Sequence, residues 1–235
     1  MRLKKVIGWF LIIGAVGVLI PYTILTITFE YPDILRKDTG EILTRFNDGG
    51  SSLIWTWFVF ALGGITLIPA YILIGQMLES KSALVRVATN FGVIGLVVQM
   101  IGLLRWTFVV PVLAKSFAET TDETIKASAI MSFKTIHQYG GVVLGEHLGQ
   151  LFTIIWTVLL SVVLDKLKLF PKWITWLAYI SSIIYFFAQA ELLATVIPDF
   201  PVLDLAGFIG STLWLIWLII IGVRFLKLRT AHGMH

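Results

Sequence analysis

The sequence predicts an all-α, polytopic membrane protein with six transmembrane helices in one bundle and both termini in the cytoplasm. Three observations carry this prediction. Hydrophobic residues make up 57% of the 235-residue chain and charged residues only 14%, against about 25% charged in a soluble domain; mean hydropathy is +0.90. The apolar residues fall into six runs of about 18 residues or more, long enough to cross a bilayer as helices. The basic residues sit beside these runs, as topology signals do, which argues against nucleic-acid binding despite a net charge of +4. The chain contains no cysteine, so disulfides and thiolate metal sites are excluded.

The first span covers about residues 6–27. It opens like a secretory leader, but the run is too long and lacks a small-x-small cleavage site before Pro21, so a retained span with a kink or end at Pro21 is expected. In the polar segment that follows, Asp38 and Glu41 are placed to cap a short helix. Ile42, Leu43 and Phe46 give that helix one apolar face suited to a membrane surface. Asn47-Asp48-Gly49-Gly50 is expected to stop it, and Ser51 or Ser52 to cap the second span, about 53–78, which contains Pro69. The third span, about 87–110, carries Gly92, Gly95, Gln99 and Gly102 at helix-packing spacing.

Residues 115–138 are moderately polar, and Ala127, Ile130, Met131 and Phe133 suggest a helix leading into the fourth span, about 141–164. A basic turn leads to the fifth span, about 173–195, and the tight Ile197–Pro201 connection to the sixth, about 205–223. Eleven basic residues lie on one side: Arg2, Lys4, Lys5, Lys81, Arg86, Lys166, Lys168, Lys172, Arg224, Lys227 and Arg229. Six lie on the other: Arg36, Lys37, Arg45, Lys115, Lys126 and Lys134. The positive-inside rule then puts both ends in the cytoplasm.

The fourth span is the unusual one. Read as an α-helix at roughly 100° per residue, it puts Glu146, Gln150, Thr153, Thr157 and Ser161 on one arc, with His147 beside it. Gly141, Gly145 and Gly149 form a second stripe, whose small-xxx-small spacing suits a close neighbour, either within the chain or as a homo-oligomer contact. An acidic group in a span costs about 2.5–3.5 kcal/mol on insertion scales, so it is expected to face protein and find a partner.

With this topology Arg105, Glu146, His147 and Glu191 fall in the outer half of the membrane, with Gln150 one turn deeper, Trp106 as a wall and His137 at the mouth. If they converge they form an outward-facing polar pocket among spans 3, 4 and 5, with Arg105 the expected partner of Glu146. The plain alternative is that Arg105 and Glu191 snorkel to headgroups. Two His and two Glu suit a metal by type, but His137 and His147 would point about 80° apart on one helix and no H-E-x-x-H pattern occurs. Neither metal nor cofactor is therefore assigned. His232 and His235 sit in a polar tail and carry no role. Trp9, Trp55, Trp57, Trp173, Trp176 and Trp217 lie near span ends, as interface anchors do, while Trp156 lies deep and suits core packing.

Three runs resemble a known family. They are Leu-Leu-Arg-Trp-Thr-Phe-Val-Val-Pro-Val-Leu-Ala from Leu103 to Ala114, Ile-His-Gln-Tyr-Gly-Gly-Val-Val-Leu-Gly-Glu-His-Leu-Gly-Gln-Leu-Phe-Thr from Ile136 to Thr153, and Phe-Pro-Lys-Trp-Ile from Phe170 to Ile174. Together they are similar to bacterial polytopic membrane proteins filed as domain of unknown function 4386. The resemblance covers most of the chain after the first span. It implies a helical bundle in the bacterial cytoplasmic (inner) membrane and brings no reaction, ligand or residue role.

Three functions fit these residues. The first is binding or transport of a small amphipathic molecule, a lipid or an ion, with Glu146 as the charged centre and His147 as a proton-sensitive neighbour. The second is a lipid-embedded enzyme using Glu146 and His147 as acid and base or as metal ligands. In the third, a structural or regulatory subunit, the polar groups only set helix register.

Overall fold

The computed structural model describes residues 2–228, so Arg229, His232 and His235 lie outside the described residues. Every regular element there is helical: α1 (Arg2–Phe29), a 3-10 turn (Asp33–Arg36), α2 (Thr39–Gly63), α3 (Leu67–Leu78), α4 (Leu84–Phe108), α5 (Val110–Glu119), α6 (Glu123–Ile136), a π-helix (His137–Leu148), α7 (Gly149–Lys166), α8 (Lys172–Phe187), α9 (Gln189–Ala194) and α10 (Ala206–Lys227). Six helical stretches are long and apolar enough to cross a membrane: Arg2–Phe29, Thr39–Leu78, Leu84–Glu119, Glu123–Lys166, Lys172–Ala194 and Ala206–Lys227. Large apolar side chains are exposed along them, including Trp9, Ile13, Ile20 and Ile27 on α1 alone. Such faces are adverse in water and ordinary in lipid. The protein is a multi-pass membrane protein.

The chain divides into two compact units. One comprises residues 17–63 and 97–149, the other residues 1–16, 64–96 and 150–235. In the first unit, α2, α5 and α6 pack on one another and α6 packs on the π-helix. Its core is aromatic. Trp106 stacks on Trp57 (4.7 Å between ring centres) and on Phe46 (5.6 Å), and meets Phe29 and Phe133 edge-on.

Local chemistry explains where these elements begin and bend. Asp38 Oδ1 accepts from the Gly40 and Glu41 amides, capping α2 as its sequence predicts. The apolar face of Ile42, Leu43 and Phe46 is not spread on a membrane surface; all three residues are buried in the core of this unit. The Asn47–Gly50 stretch does not end the helix either. Gly50 adopts φ 54° and ψ −152°, a left-handed conformation open to glycine, and the chain kinks there and continues as a helix. In α1 the helix passes through Pro21 without ending. Its end is set at Glu30, which takes a positive φ of 55°. The Glu30 carboxylate gathers Lys37 and Arg45, 2.5 Å from each, and these bonds, Lys37 first, hold it below the usual carboxylate range. Glu41 bridges the same two cations.

The second unit is built on α7, α8 and α10 with the start of α1 and the amino-terminal part of α4. Gly92 of α4 lies where any Cβ would strike Trp156 and Tyr71, which stack at 3.7 Å. Trp156 is therefore core, as expected. Trp217 is not an interface anchor: it is fully buried and donates from Nε1 to the Ile174 carbonyl at 3.1 Å. The predicted polar arc of Thr153, Thr157 and Ser161 does turn inward, and all three are buried. Thr157 accepts from Trp214 Nε1 at 3.0 Å. In contrast, Trp9, Trp55, Trp173 and Trp176 remain on the surface.

Candidate functional site

The stretch that carries the candidate residues is not an α-helix at its start. From His137 to Leu148 the backbone is a π-helix, and the α-form resumes at Gly149. π-Turns are rare, close through i→i+5 hydrogen bonds, and recur at functional sites. The wider turn brings Gly140 and Gly145, five residues apart, against the same point: a Cβ at Gly102 would lie 2.6 Å from Gly145 Cα and 2.7 Å from the Gly140 carbonyl. The glycine stripe thus packs on the chain's own α4. Gly141 faces the Arg105 guanidinium, Gly145 faces Gly102, and Gly149 faces Gln99, whose Nε2 donates to the Gly149 carbonyl at 2.9 Å. Gly141, Gly145 and Gly149 thus find the close neighbour their spacing calls for within the chain itself.

Arg105 does not snorkel. Only 6% of it is exposed. The missing side chain of Gly141 leaves room for its guanidinium, since a Cβ there would sit 2.5 Å from Nη2. Nη1 donates to the Gly102 carbonyl, and Nη2 lies 3.5 Å from His137 Nδ1. The guanidinium carbon sits 5.2 Å from the Trp106 ring centre, in cation–π range. His137 stacks on Phe133 at 5.2 Å. Three of the predicted site residues, Arg105, Trp106 and His137, therefore form one buried cluster.

The expected Arg105–Glu146 pair does not form. Glu146 Oε2 is bound by Arg36 Nη2 at 3.0 Å, from the 3-10 turn after α1. Among the described residues no carboxylate lies within ion-pair distance of Arg105; Glu146 acts on it only through its longer-range field. The Arg36–Glu146 side chains are 29% and 20% exposed, so the pair is worth about 1 kcal/mol or less. Sequence spacing gave no route to Arg36, which lies 110 residues from Glu146. The one available signal was its position as a cation on the side poor in basic residues. Trp57, expected at an interface, is fully buried against Trp106.

His147 follows Glu146 in the π-helix and is half-buried. Gln150 and Glu191 belong to the second unit. There Gln150 Oε1 accepts from Gln189 Nε2 at 2.6 Å, linking α7 to α9, and Glu191 is half-buried in α9. The second unit also has a narrow gap lined by Thr153, Ile154, Thr157, Ser181, Ser182, Tyr185 and Trp214. Among the described residues no three His, Asp or Glu side chains gather as a metal site would require.

The runs around Arg105 and from His137 to Gly149 thus lie at the structural centre of the first unit. The family described as Domain of unknown function (DUF4386) matches residues 6–222 of the chain. The protein belongs to this family. The match begins in α1 and ends in α10, so it takes in the first span as well as the later runs that resemble it. No curated protein and no solved structure matches the chain. Membership supplies the fold's kinship and no activity.

Proposed function

We propose that this family member binds, and in binding or releasing transports, a small amphipathic molecule at the polar site of the first unit, in the outer half of the bacterial cytoplasmic membrane. The carrying observation is Arg105: a charged side chain of a spanning helix, 6% exposed, without a carboxylate in ion-pair range among the described residues. A structural ion would be paired, because removing an unpaired charge from water costs several kcal/mol. An ionisable group kept inside a span at that cost is by default a functional one. Trp106 and His137 touch it, Phe133 stacks on His137 and Trp57 on Trp106, and the more exposed Arg36–Glu146 pair belongs to the same unit. Gln150 and Glu191, read from the sequence as part of the same pocket, are left out of this proposal. Lipids cover the exposed apolar faces.

Solvent extraction of protein purified in a mild detergent tests the reading. The expected result is one amphipathic molecule enriched to about one per chain over bulk lipid, as expected for a saturated single site, and reduced in Arg105→Gln. An extract with the composition of bulk membrane lipid overturns it.

The orientation has its own test, made easy by a chain without cysteine. Thr121→Cys, between α5 and α6, is expected to react with a membrane-impermeant maleimide in intact spheroplasts. Ser80→Cys, just after α3, is expected to react only after lysis. The reverse pattern would invert the topology and put the site on the cytoplasmic side.

A further inference from the structure

We infer that the ligand of this site carries an anionic head group, a carboxylate or a phosphate, held by Arg105, His137, Trp57 and Trp106; the inference rests on the binding reading above. It follows from counting donors and acceptors. A guanidinium only donates. Its approach to His137 Nδ1 at 3.5 Å therefore needs a lone pair on that nitrogen, which leaves the ring proton on Nε2. His137 Nε2, Arg105 Nε, Trp57 Nε1 and Trp106 Nε1 are buried and have no hydrogen-bond partner. All four are N–H donors.

Buried donors in native proteins are almost always paired. Four open ones in a single cluster mark the place of an acceptor that the chain does not supply. Of the rings around them, Phe29, Phe46 and Phe133 have none to give, and the Tyr31 hydroxyl, on the ring that packs edge-on against Trp57, bonds none of the four. A neutral acceptor would satisfy the indoles, but the guanidinium adds a positive charge that a neutral group leaves uncompensated. Among the described residues the carboxylate whose field reaches it, Glu146, is already held by Arg36. An oxyanion answers both needs, accepting several bonds and cancelling one charge. The aromatic walls suit an apolar chain attached to it. Two sources share this chemistry: the head group of an acidic lipid or fatty acid, and a free oxyanion.

Equilibrium binding to the full chain in dodecyl maltoside tests the inference with four probes: oleate, dioleoyl phosphatidate, inorganic phosphate and oleyl alcohol. Oleate or phosphatidate is expected to bind at least about tenfold more tightly than oleyl alcohol, the effect of one charge-assisted hydrogen bond. Arg105→Gln is expected to abolish that preference. It is also expected to leave the Tm without ligand unchanged or raised, because it deletes an uncompensated buried charge and keeps a donor for the Gly102 carbonyl. Trp106→Phe keeps a ring and deletes one N–H. It is expected to weaken oleate without affecting the alcohol, and it decides the matter if Arg105→Gln does not fold. Saturable, Arg105-dependent binding of inorganic phosphate supports the anion site and makes a free oxyanion its source. Oleyl alcohol binding as tightly as oleate, or a preference that survives both variants, overturns the anionic head group and leaves the binding reading standing. Absence of binding by all four probes overturns both.

Discussion

Gly102→Val is expected to be among the most destabilising single changes in this protein, at about 3 kcal/mol, the upper end of the usual range for overpacking. The reason is what the new side chain meets. A Cβ at Gly102 would lie 2.6 Å from Gly145 Cα and 2.7 Å from the Gly140 carbonyl, both backbone atoms of the π-helix. A flexible side chain can swing aside; a helix backbone cannot. α4 and the π-helix would have to separate, and the contacts one turn to either side, Arg105 on Gly141 and Gln99 on Gly149, would open with them. Inside a membrane, helix association depends on such close packing because lipid offers no hydrophobic penalty to drive it. Gly207→Ala in α10 is the control. Its Cβ would meet only Ala188 Cβ at an ordinary 3.7 Å, so stability is expected to stay the same or rise slightly. Thermal unfolding of the two variants in detergent compares them directly; equal losses would mean that the α4–π contact is not what holds this unit together.

Trp106→Ala is the second large effect, again about 3 kcal/mol. Deleting a buried tryptophan costs about 3–5 kcal/mol in soluble cores. The lower figure applies here because lipid-embedded packing loses contacts and gains a cavity without the full transfer term from water. Trp106 is fully buried, stacks on Trp57 and Phe46, and touches Phe29, Phe133 and His137. One substitution thus unsupports elements from α1, α2, α6 and the π-helix. Trp55→Ala, two residues from Trp57 but 64% exposed, is expected to change stability by about 0.5 kcal/mol or less. A comparable drop in Tm for both would show that interface anchoring, not the aromatic core, dominates.

The candidate site was legible in part. Charge inside an apolar run is a strong signal, and it picked out Arg105, His137, Glu146 and His147. The inward turn of Thr153, Thr157 and Ser161 was readable because α7 is a regular helix there, so a fixed angle per residue predicts the face. A fixed α-helical angle does not describe His137 to Leu148, where the chain takes the wider π-turn. Pairing was harder still. Arg105 was the expected partner of Glu146, yet Glu146 is bound by Arg36, and Trp57, read as an interface anchor from its place near a span end, is buried under Trp106.

By itself the sequence determined that the chain is all-helical, that six stretches suit a membrane, that its glycine stripes pack closely, and to which family it belongs. Those properties depend on composition, periodicity and run length, which are local along the chain. Only the tertiary structure decided which cation meets Glu146, which tryptophans are buried, and that Arg105 stands among open N–H donors. Those are facts of distance between segments far apart in sequence, and no pattern within one helix encodes the angle at which another crosses it.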